Sequence, residues 1–244
     1  MTKAIYFIFV VLLLISCRKG EEIAPPFYQC NFNFDDSSST NPNNIKYQAL
    51  LNELTANGVV GISMSVYDKH TGMWLGTNGK ADLHNNIDML PCNISRVGST
   101  VKMFTATAIL LLAEEGKLNL DDKIADYLKG DVINKIENAD KATIRQLLQH
   151  SSGIYNYIQN LKFQTASLND LIREWKAEDL LKYAYNQKAY FNPGEDVRYS
   201  NTGYILLGLL IEKIEEKPFY KVFEEKIFIP LGLTMTSFAA TDPI

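Results

Sequence analysis

Three features, taken in chain order, predict an α+β fold. Apolar residues recur at helical spacing over 45–57, stretches at 59–68 and 73–79 read as a pair of strands, and the chain beyond residue 100 is mostly helical. Strands and helices are thereby segregated along the sequence, which marks an α+β layer arrangement rather than an alternating one.

Each element has its own cue. In the first helix Tyr47, Leu50, Leu51 and Leu54 fall on one face, and Asn57-Gly58 supplies a C-cap. Val60, Ile62, Met64 and Val66 then alternate, residues 69–72 form a turn, and 73–79 is the returning strand. After an irregular stretch through Pro91, residues 100–115 form a strong helix that ends at Gly116, and 118–122 is a connector. A short helix at 143–150 stops at Ser152-Gly153, and another covers 177–185. Asn192-Pro193-Gly194 is a turn, and a helix over 202–216 is halted before Pro218. Two strands alone make a poor sheet, so the architecture is expected to need more of them. No internal repeat is evident.

Composition narrows the function classes. A chain of 244 residues that is 46% hydrophobic and 21% charged can bury a substantial core, which excludes disordered and fibrous classes. Its 24 basic and 28 acidic residues give a formal charge of -4, without the clustered Lys and Arg that grip a phosphate backbone. Nucleic acid is therefore not an expected partner. Cys17, Cys30 and Cys92 are too few for a disulfide scaffold and form no CxxC pair, so neither a zinc ribbon nor thioredoxin chemistry is signalled.

The first residues read as an address. Lys3 precedes an apolar run over 4–15. That run is shorter than the roughly 20 residues needed to span a bilayer, and it fits a signal h-region. The end of the run, Leu14-Ile15-Ser16-Cys17, resembles the lipobox of bacterial lipoproteins, which implies that Cys17 is lipidated and begins the mature protein. The plainer alternative is a secretory leader with Cys17 incidental. Residues 18–44 carry Glu21-Glu22, Pro25-Pro26 and Ser37-Ser38-Ser39, a composition too polar to order itself. The expected organisation is a signal peptide at 1–16, a lipid site and disordered tether at 17–44, and a folded domain at 45–244 held at the bacterial cell envelope by its lipid. In that oxidising setting Cys30 and Cys92 are available to pair, with two unpaired thiols as the alternative.

Two segments hold candidate chemistry. Ser99 precedes the helix at 100–115, where unpaired amides give positive potential, and Lys102 lies three residues on along the same face. Val101, Met103, Phe104, Ile109, Leu110, Leu111 and Leu112 make this helix apolar nearly all round, so it is expected to be central and buried. A lysine near its start would be partly desolvated and could act as a base for the serine. The bland readings are an ordinary N-cap serine and a lysine that snorkels to solvent. Ser-x-x-Lys is also a weak pattern, for Ser16 and Lys19 repeat it. The second segment is Tyr199-Ser200-Asn201, with a similar triplet, Tyr190-Phe191-Asn192, just upstream. A tyrosine beside a cation ionises more readily, and an Asn amide can orient a carbonyl or the lysine. A loop tyrosine and a capping Asn are the bland alternative.

With their flanks these segments resemble the serine β-lactamase and penicillin-binding-protein superfamily, in its class C β-lactamase-like branch of carboxypeptidases, esterases and related hydrolases. The resemblance lies in Gly98-Ser99-Thr100-Val101-Lys102-Met103-Phe104-Thr105 and Glu115-Gly116-Lys117-Leu118-Asn119-Leu120-Asp121-Asp122. It continues through Ile144-Arg145-Gln146-Leu147-Leu148-Gln149-His150-Ser151-Ser152-Gly153-Ile154. Asn192-Pro193-Gly194, Tyr199-Ser200-Asn201-Thr202-Gly203-Tyr204 and Pro230-Leu231-Gly232-Leu233 complete it. The order of these blocks selects Ser99 and Tyr199 over the two repeats.

The resemblance implies a helical domain with an antiparallel sheet, and acyl transfer through a covalent intermediate without metal or cofactor. Ser99 would be the acylated nucleophile, Lys102 would take or relay its proton, and Tyr199 would serve as base and proton shuttle. Asn201 would hold the lysine or a substrate amide, and the Ser99 backbone N–H would be one oxyanion donor. His150 falls in a turn that looks structural and receives no role. The family's third motif, Lys-Thr-Gly or His-x-Gly on a strand of the sheet, is not found after Tyr199, so the C-terminal strands are expected to be missing from this chain.

A Ser-His-Asp hydrolase is disfavoured, because no G-x-S-x-G elbow occurs around His70, His84 or His150. Three scattered histidines without HExxH do not suggest a metal hydrolase. The remaining rival is a non-catalytic, lipid-anchored relative that binds a cell-wall peptide or a protein. For the enzyme, a β-lactam, a D-Ala-D-Ala peptide, a D-amino-acid amide and a small ester are equally expected substrates.

Overall fold

The computed structural model describes residues 38–238, and the predicted leader, Cys17 and Cys30 lie outside them. Two compact units divide the chain after Arg96.

In the first unit, helix α1 (Asn44–Ala56) ends where the Asn57 backbone N–H donates to Glu53 O and the Gly58 N–H to Thr55 O. Strands β1 (Gly61–Asp68) and β2 (Gly72–Asp82) then pair antiparallel, from Gly61 opposite Gly79 to Asp68 opposite Gly72. The turn between them is held by Asp68 Oδ1, which accepts the backbone N–H groups of His70 and Thr71. A third strand, β3 (Ile87–Asp88), pairs on the other edge of β2, giving the order β1-β2-β3. This strand falls in the stretch expected to be irregular, because two residues carry no alternation and the ladder shifts register between Lys80 and Asp82.

Trp74 and Leu51 are almost fully buried and form the centre of this unit. The indole N–H donates to Asn44 Oδ1 at 3.0 Å, and the Tyr47 ring lies 5.1 Å away. The indole folds over Gly76, where a Cβ would sit 2.1 Å from it, so only glycine fits beneath. Ser38 and Asn41 are also buried, and Ser38 Oγ accepts the Leu75 N–H at 2.7 Å. Among the described residues, 38–44 thus include packed structure, within the stretch that composition assigned to a disordered tether. Cys92 is disulfide-bonded, which removes the free-thiol alternative for it, and its partner lies outside the described residues.

In the second unit a single 3-10 turn, Gly98–Thr100, runs directly into α2 (Val101–Glu114). Then come α3 (Ile124–Tyr127), α4 (Asp131–Asn134), α5 (Ile144–Leu148), α6 (Leu161–Asn169) and α7 (Ala177–Leu181). The long α8 (Asn201–Glu215) is followed by α9 (Phe219–Phe223) and a π-turn, Glu224–Phe228. Helices α3, α4, α6 and α9 had no counterpart in the sequence reading. One or two turns are too few for an apolar period to show.

Helix α8 is the axis of this unit. Leu206, Leu207, Leu210 and Ile211 are wholly buried against Ala108, Ile109 and Leu112 of α2 and Ile144 and Leu147 of α5. Burying each large aliphatic side chain contributes about 1.5–3 kcal/mol. Helix α2 is less enclosed than its composition suggested, for Met103 is 68% and Leu110 51% exposed. Its buried residues, Thr105, Ala108, Ile109 and Leu112, form a stripe on the side facing α8 and not a full circumference.

The loop after α5 is built to a fixed shape. Thr143 and Gln146 form a reciprocal capping box at the start of α5, and His150 takes a left-handed φ of 60° just past the end of that helix. Tyr190 N donates to Gly153 O and Gly194 N to Ser151 O, both at 2.8 Å, and Arg198 N donates to His150 O at 2.9 Å. The loop at 150–154 thus runs beside the segment at 190–198. Asn138 Nδ2 donates to both Ser152 O and Phe191 O, fastening the two together. Gly153 has φ +69°, and a Cβ there would meet Phe191 O at 2.0 Å. Gly153→Ala should lower unfolding free energy by about 3 kcal/mol in a denaturant titration. A loss below about 1 kcal/mol would mean that the two loops are not so tightly joined.

Candidate active site

The four side chains singled out by sequence meet in the second unit, at the adjoining N-termini of α2 and α8. Ser99, in the 3-10 turn, places Oγ 2.7 Å from the Tyr199 hydroxyl. One turn into α2, Lys102 Nζ donates to Ser99 Oγ at 3.3 Å and to Asn201 Oδ1 at 2.8 Å. The Lys102 cation also lies 4.9 Å from the Tyr199 ring centre and 5.5 Å from that of Tyr204. Neither bland reading survives. No side chain caps α2, and the Ser99 hydroxyl turns to a tyrosine 100 residues away. Asn201 is the first residue of α8 and not its cap, and its carboxamide oxygen holds the lysine. Lys102 is half-buried, with its ammonium turned to protein partners.

Hydrogen-bond inventory fixes which way the Asn201 amide points. Asn156 Oδ1 accepts the Asn201 backbone N–H at 3.1 Å and Asn201 Nδ2 at 3.3 Å. A backbone N–H can only donate, so the Asn156 atom must be oxygen, and the group that shares it must be the Asn201 NH2. Asn201 Oδ1 is left to face Lys102, and it also accepts from the Tyr199 hydroxyl at 3.3 Å. Asn156 is 4% exposed. Thr202, wholly buried, binds the same loop by donating to Tyr155 O at 2.6 Å and accepting the Tyr157 N–H at 3.0 Å.

The electrostatics favour negative charge at Tyr199. Burial pushes its phenol up, but the neighbouring Lys102 ammonium and the hydrogen bond with Ser99 outweigh that effect, and the phenol is held below the ordinary tyrosine value. Tyr157 and Tyr204 are shifted the other way, first by burial and then by Tyr199. The arrangement is a serine hydroxyl hydrogen-bonded to an acidified phenol, with a cation stabilising that phenol's anion. Tyr199 is 43% exposed, so a carbonyl can approach from solvent.

Two residues at the site escaped sequence reasoning. His150 accepts the Ser200 backbone N–H on Nδ1 at 3.2 Å, and its ring centre lies 4.5 Å from that of Tyr199. Asn156 orients Asn201 as described. Both belong to the loop after α5, and the only hint was that the motif block there extends past its helix. Of the repeats, Tyr190 belongs to the supporting layer: its hydroxyl donates to Gln159 and accepts the Asn156 N–H, with the Arg198 guanidinium 3.7 Å above its ring. The Ser16–Lys19 repeat lies outside the described residues. No group of His, Cys, Asp and Glu suited to a metal ion occurs among the described residues.

The beta-lactamase family profile matches residues 48–244. The chain belongs to the beta-lactamase family. Protein flp of Staphylococcus aureus (strain COL) is 32% identical over 164 residues, which cover 67% of this chain and 32% of that protein. Penicillin-binding protein 4* of Bacillus subtilis (strain 168) is 30% identical over 164 residues, covering 65% and 33%. A solved D-stereospecific amidohydrolase from Streptomyces sp. superposes with a TM-score of 0.71 at 34% identity, over 79% of this chain and 55% of its own. This beta-lactamase-family chain therefore has the α+β transpeptidase-like fold with a partial antiparallel sheet. It spans about a third of the length of the curated relatives it matches.

The His150 ring of this family member is held below its ordinary value of 6.5, by burial first and then by the Lys102 charge. The unfolded ring consequently takes a proton before the folded one does. The stability this gives is intact above about 6.5 and is lost as the pH falls through the lower folded value. Thermal unfolding followed from pH 7 to 5 should show a falling midpoint, and His150→Asn should remove part of that slope. An identical slope in the variant would assign it to other groups.

Proposed function

We propose that this chain carries the acyl-transfer centre of a serine hydrolase that opens an amide or ester through an acyl-enzyme. The observation that supports it most is the 2.7 Å contact between Ser99 Oγ and the Tyr199 hydroxyl, with Lys102 reaching both Ser99 and Asn201. With Tyr199 ionised, the Ser99 oxygen attacks the substrate carbonyl carbon as its proton passes to the Tyr199 phenolate oxygen. The Ser99 backbone N–H receives the developing oxyanion. When the bond to the leaving group breaks, Tyr199 returns the proton to that nitrogen or oxygen. Water then adds to the acyl carbon, gives its proton to Tyr199, and the Ser99 hydroxyl is restored as the acid leaves. Lys102 lies beside the phenol and the serine, and Asn201 holds Lys102.

The substrate range is a β-lactam, a D-Ala-D-Ala-type peptide, a D-amino-acid amide or a small ester. The similarity to a D-stereospecific amidohydrolase favours the amide end of that range. The apolar run at 4–15 and Cys17 support placement at the bacterial cell envelope through a lipid anchor.

A fluorescent penicillin or fluorophosphonate should label the full chain covalently, and Ser99→Ala should abolish the label. Tyr199→Phe keeps the ring but loses the acid–base oxygen, and should slow labelling by about 10²- to 10⁴-fold. Equal labelling of wild type and Ser99→Ala would remove the catalytic reading. Binding of a cell-wall fragment with no labelling would favour the non-catalytic alternative.

A further inference from the structure

We propose that His150 is a positioning residue for the Ser99–Tyr199 pair, a side-chain role beyond that of a turn. The proposal rests on the acyl-transfer reading above. Three observations carry it, and the first is topological. Tyr199 is bracketed on both sides by this one residue, because Arg198 N donates to His150 O at 2.9 Å and Ser200 N donates to His150 Nδ1 at 3.2 Å. The backbone half of this bracket is open to any residue. The Nδ1 half needs a side-chain acceptor at that place.

The second observation is the ring contact. The imidazole lies against Tyr199 with centroids 4.5 Å apart and planes tilted 41°, and against Tyr204 at 5.1 Å. Tyr199 therefore has the imidazole and the Lys102 cation against it, and its hydroxyl is directed at Ser99. The groups facing the imidazole are Lys102 from α2, Tyr199, and Tyr204 from α8. Arg198 faces it only through its backbone, its guanidinium lying over Tyr190. Nδ1 accepts a hydrogen bond, so the ring must be unprotonated there, and its lowered proton affinity agrees with that state.

The third observation is the backbone. His150 adopts φ 60°, where glycine is the least strained residue. A residue that served only to turn the chain out of α5 would be replaced by glycine at a gain. A histidine held in this conformation, with its ring and acceptor both turned to the segment around Tyr199, offsets local strain with a function glycine cannot supply.

The test compares His150→Gly, which relieves the backbone but removes ring and acceptor, with His150→Asn. Asparagine tolerates the left-handed conformation and sets Oδ1 near the place of Nδ1. Two readouts are taken on the full chain: the rate of Ser99 acylation by fluorescent penicillin, and titration of the Tyr199 phenol by NMR of 13C-tyrosine protein, assigned with Tyr199→Phe. His150→Gly should remain folded at the assay temperature, titrate its phenol at higher pH, and acylate about 10- to 100-fold more slowly. His150→Asn should restore most of both. Wild-type acylation and phenol titration in His150→Gly would overturn the proposal, and so would an Asn variant as impaired as the Gly variant. If wild type takes no label, the acyl-transfer reading fails, and the phenol titration alone decides the positioning role.

Discussion

The hydrogen bond from the Lys102 ammonium to Asn201 Oδ1, 2.8 Å long, is the constraint on which the rest of the site depends. It ties the first turn of α2 to the first residue of α8, and those are the two helices at the centre of the core. A cation at a helix N-terminus stands at the wrong end of the macrodipole, an unfavourable placement of about 0.3–1 kcal/mol on an exposed surface. Here two helix starts converge on it. The same fields that disfavour the lysine favour a phenolate at Tyr199 and an oxyanion at the Ser99 amide. Lys102 is held there by a carboxamide oxygen, a serine oxygen and two aromatic faces.

Rigidity of the hydrophobic layer is what makes these distances usable. Leu206, Leu207, Leu210 and Ile211 pack α8 against α2 and α5, so the helix starts cannot slide without opening buried apolar contacts. The polar layer above is supported by the loop after α5, which provides His150 Nδ1 to the Ser200 backbone N–H and Asn156 Oδ1 to the Asn201 backbone N–H. No buried side-chain nitrogen or oxygen is left without a partner among the described residues.

Helix α2 shows how composition misleads about burial. A continuous apolar run suggested a helix enclosed on all sides, yet Met103 and Leu110 face outward while Ala108, Ile109 and Leu112 face α8. Residues three and four apart share a face, so burial is decided by which neighbour covers that face and not by the average along the run. The tether shows the converse. A polar, serine-rich stretch reads as unstructured, but Ser38 is buried because its hydroxyl completes a hydrogen bond to β2.

The sequence by itself determined the long elements and the identity of the chemical groups. Helices α1, α2 and α8 lie within a residue or two of their expected bounds, because each carries enough turns for its apolar period and its end signals to register. Ser99, Lys102, Tyr199 and Asn201 were legible from the order of their motif blocks, and the structure brings all four together. Tertiary structure alone decided that Ser99 is not a cap, which way the Asn201 amide faces, that His150 and Asn156 belong to the site, and where the short helices fall. The physical reason is separation along the chain. Ser99 meets Tyr199 across 100 residues and Asn201 meets Asn156 across 45, and a local period carries no information about which distant groups will share a hydrogen bond.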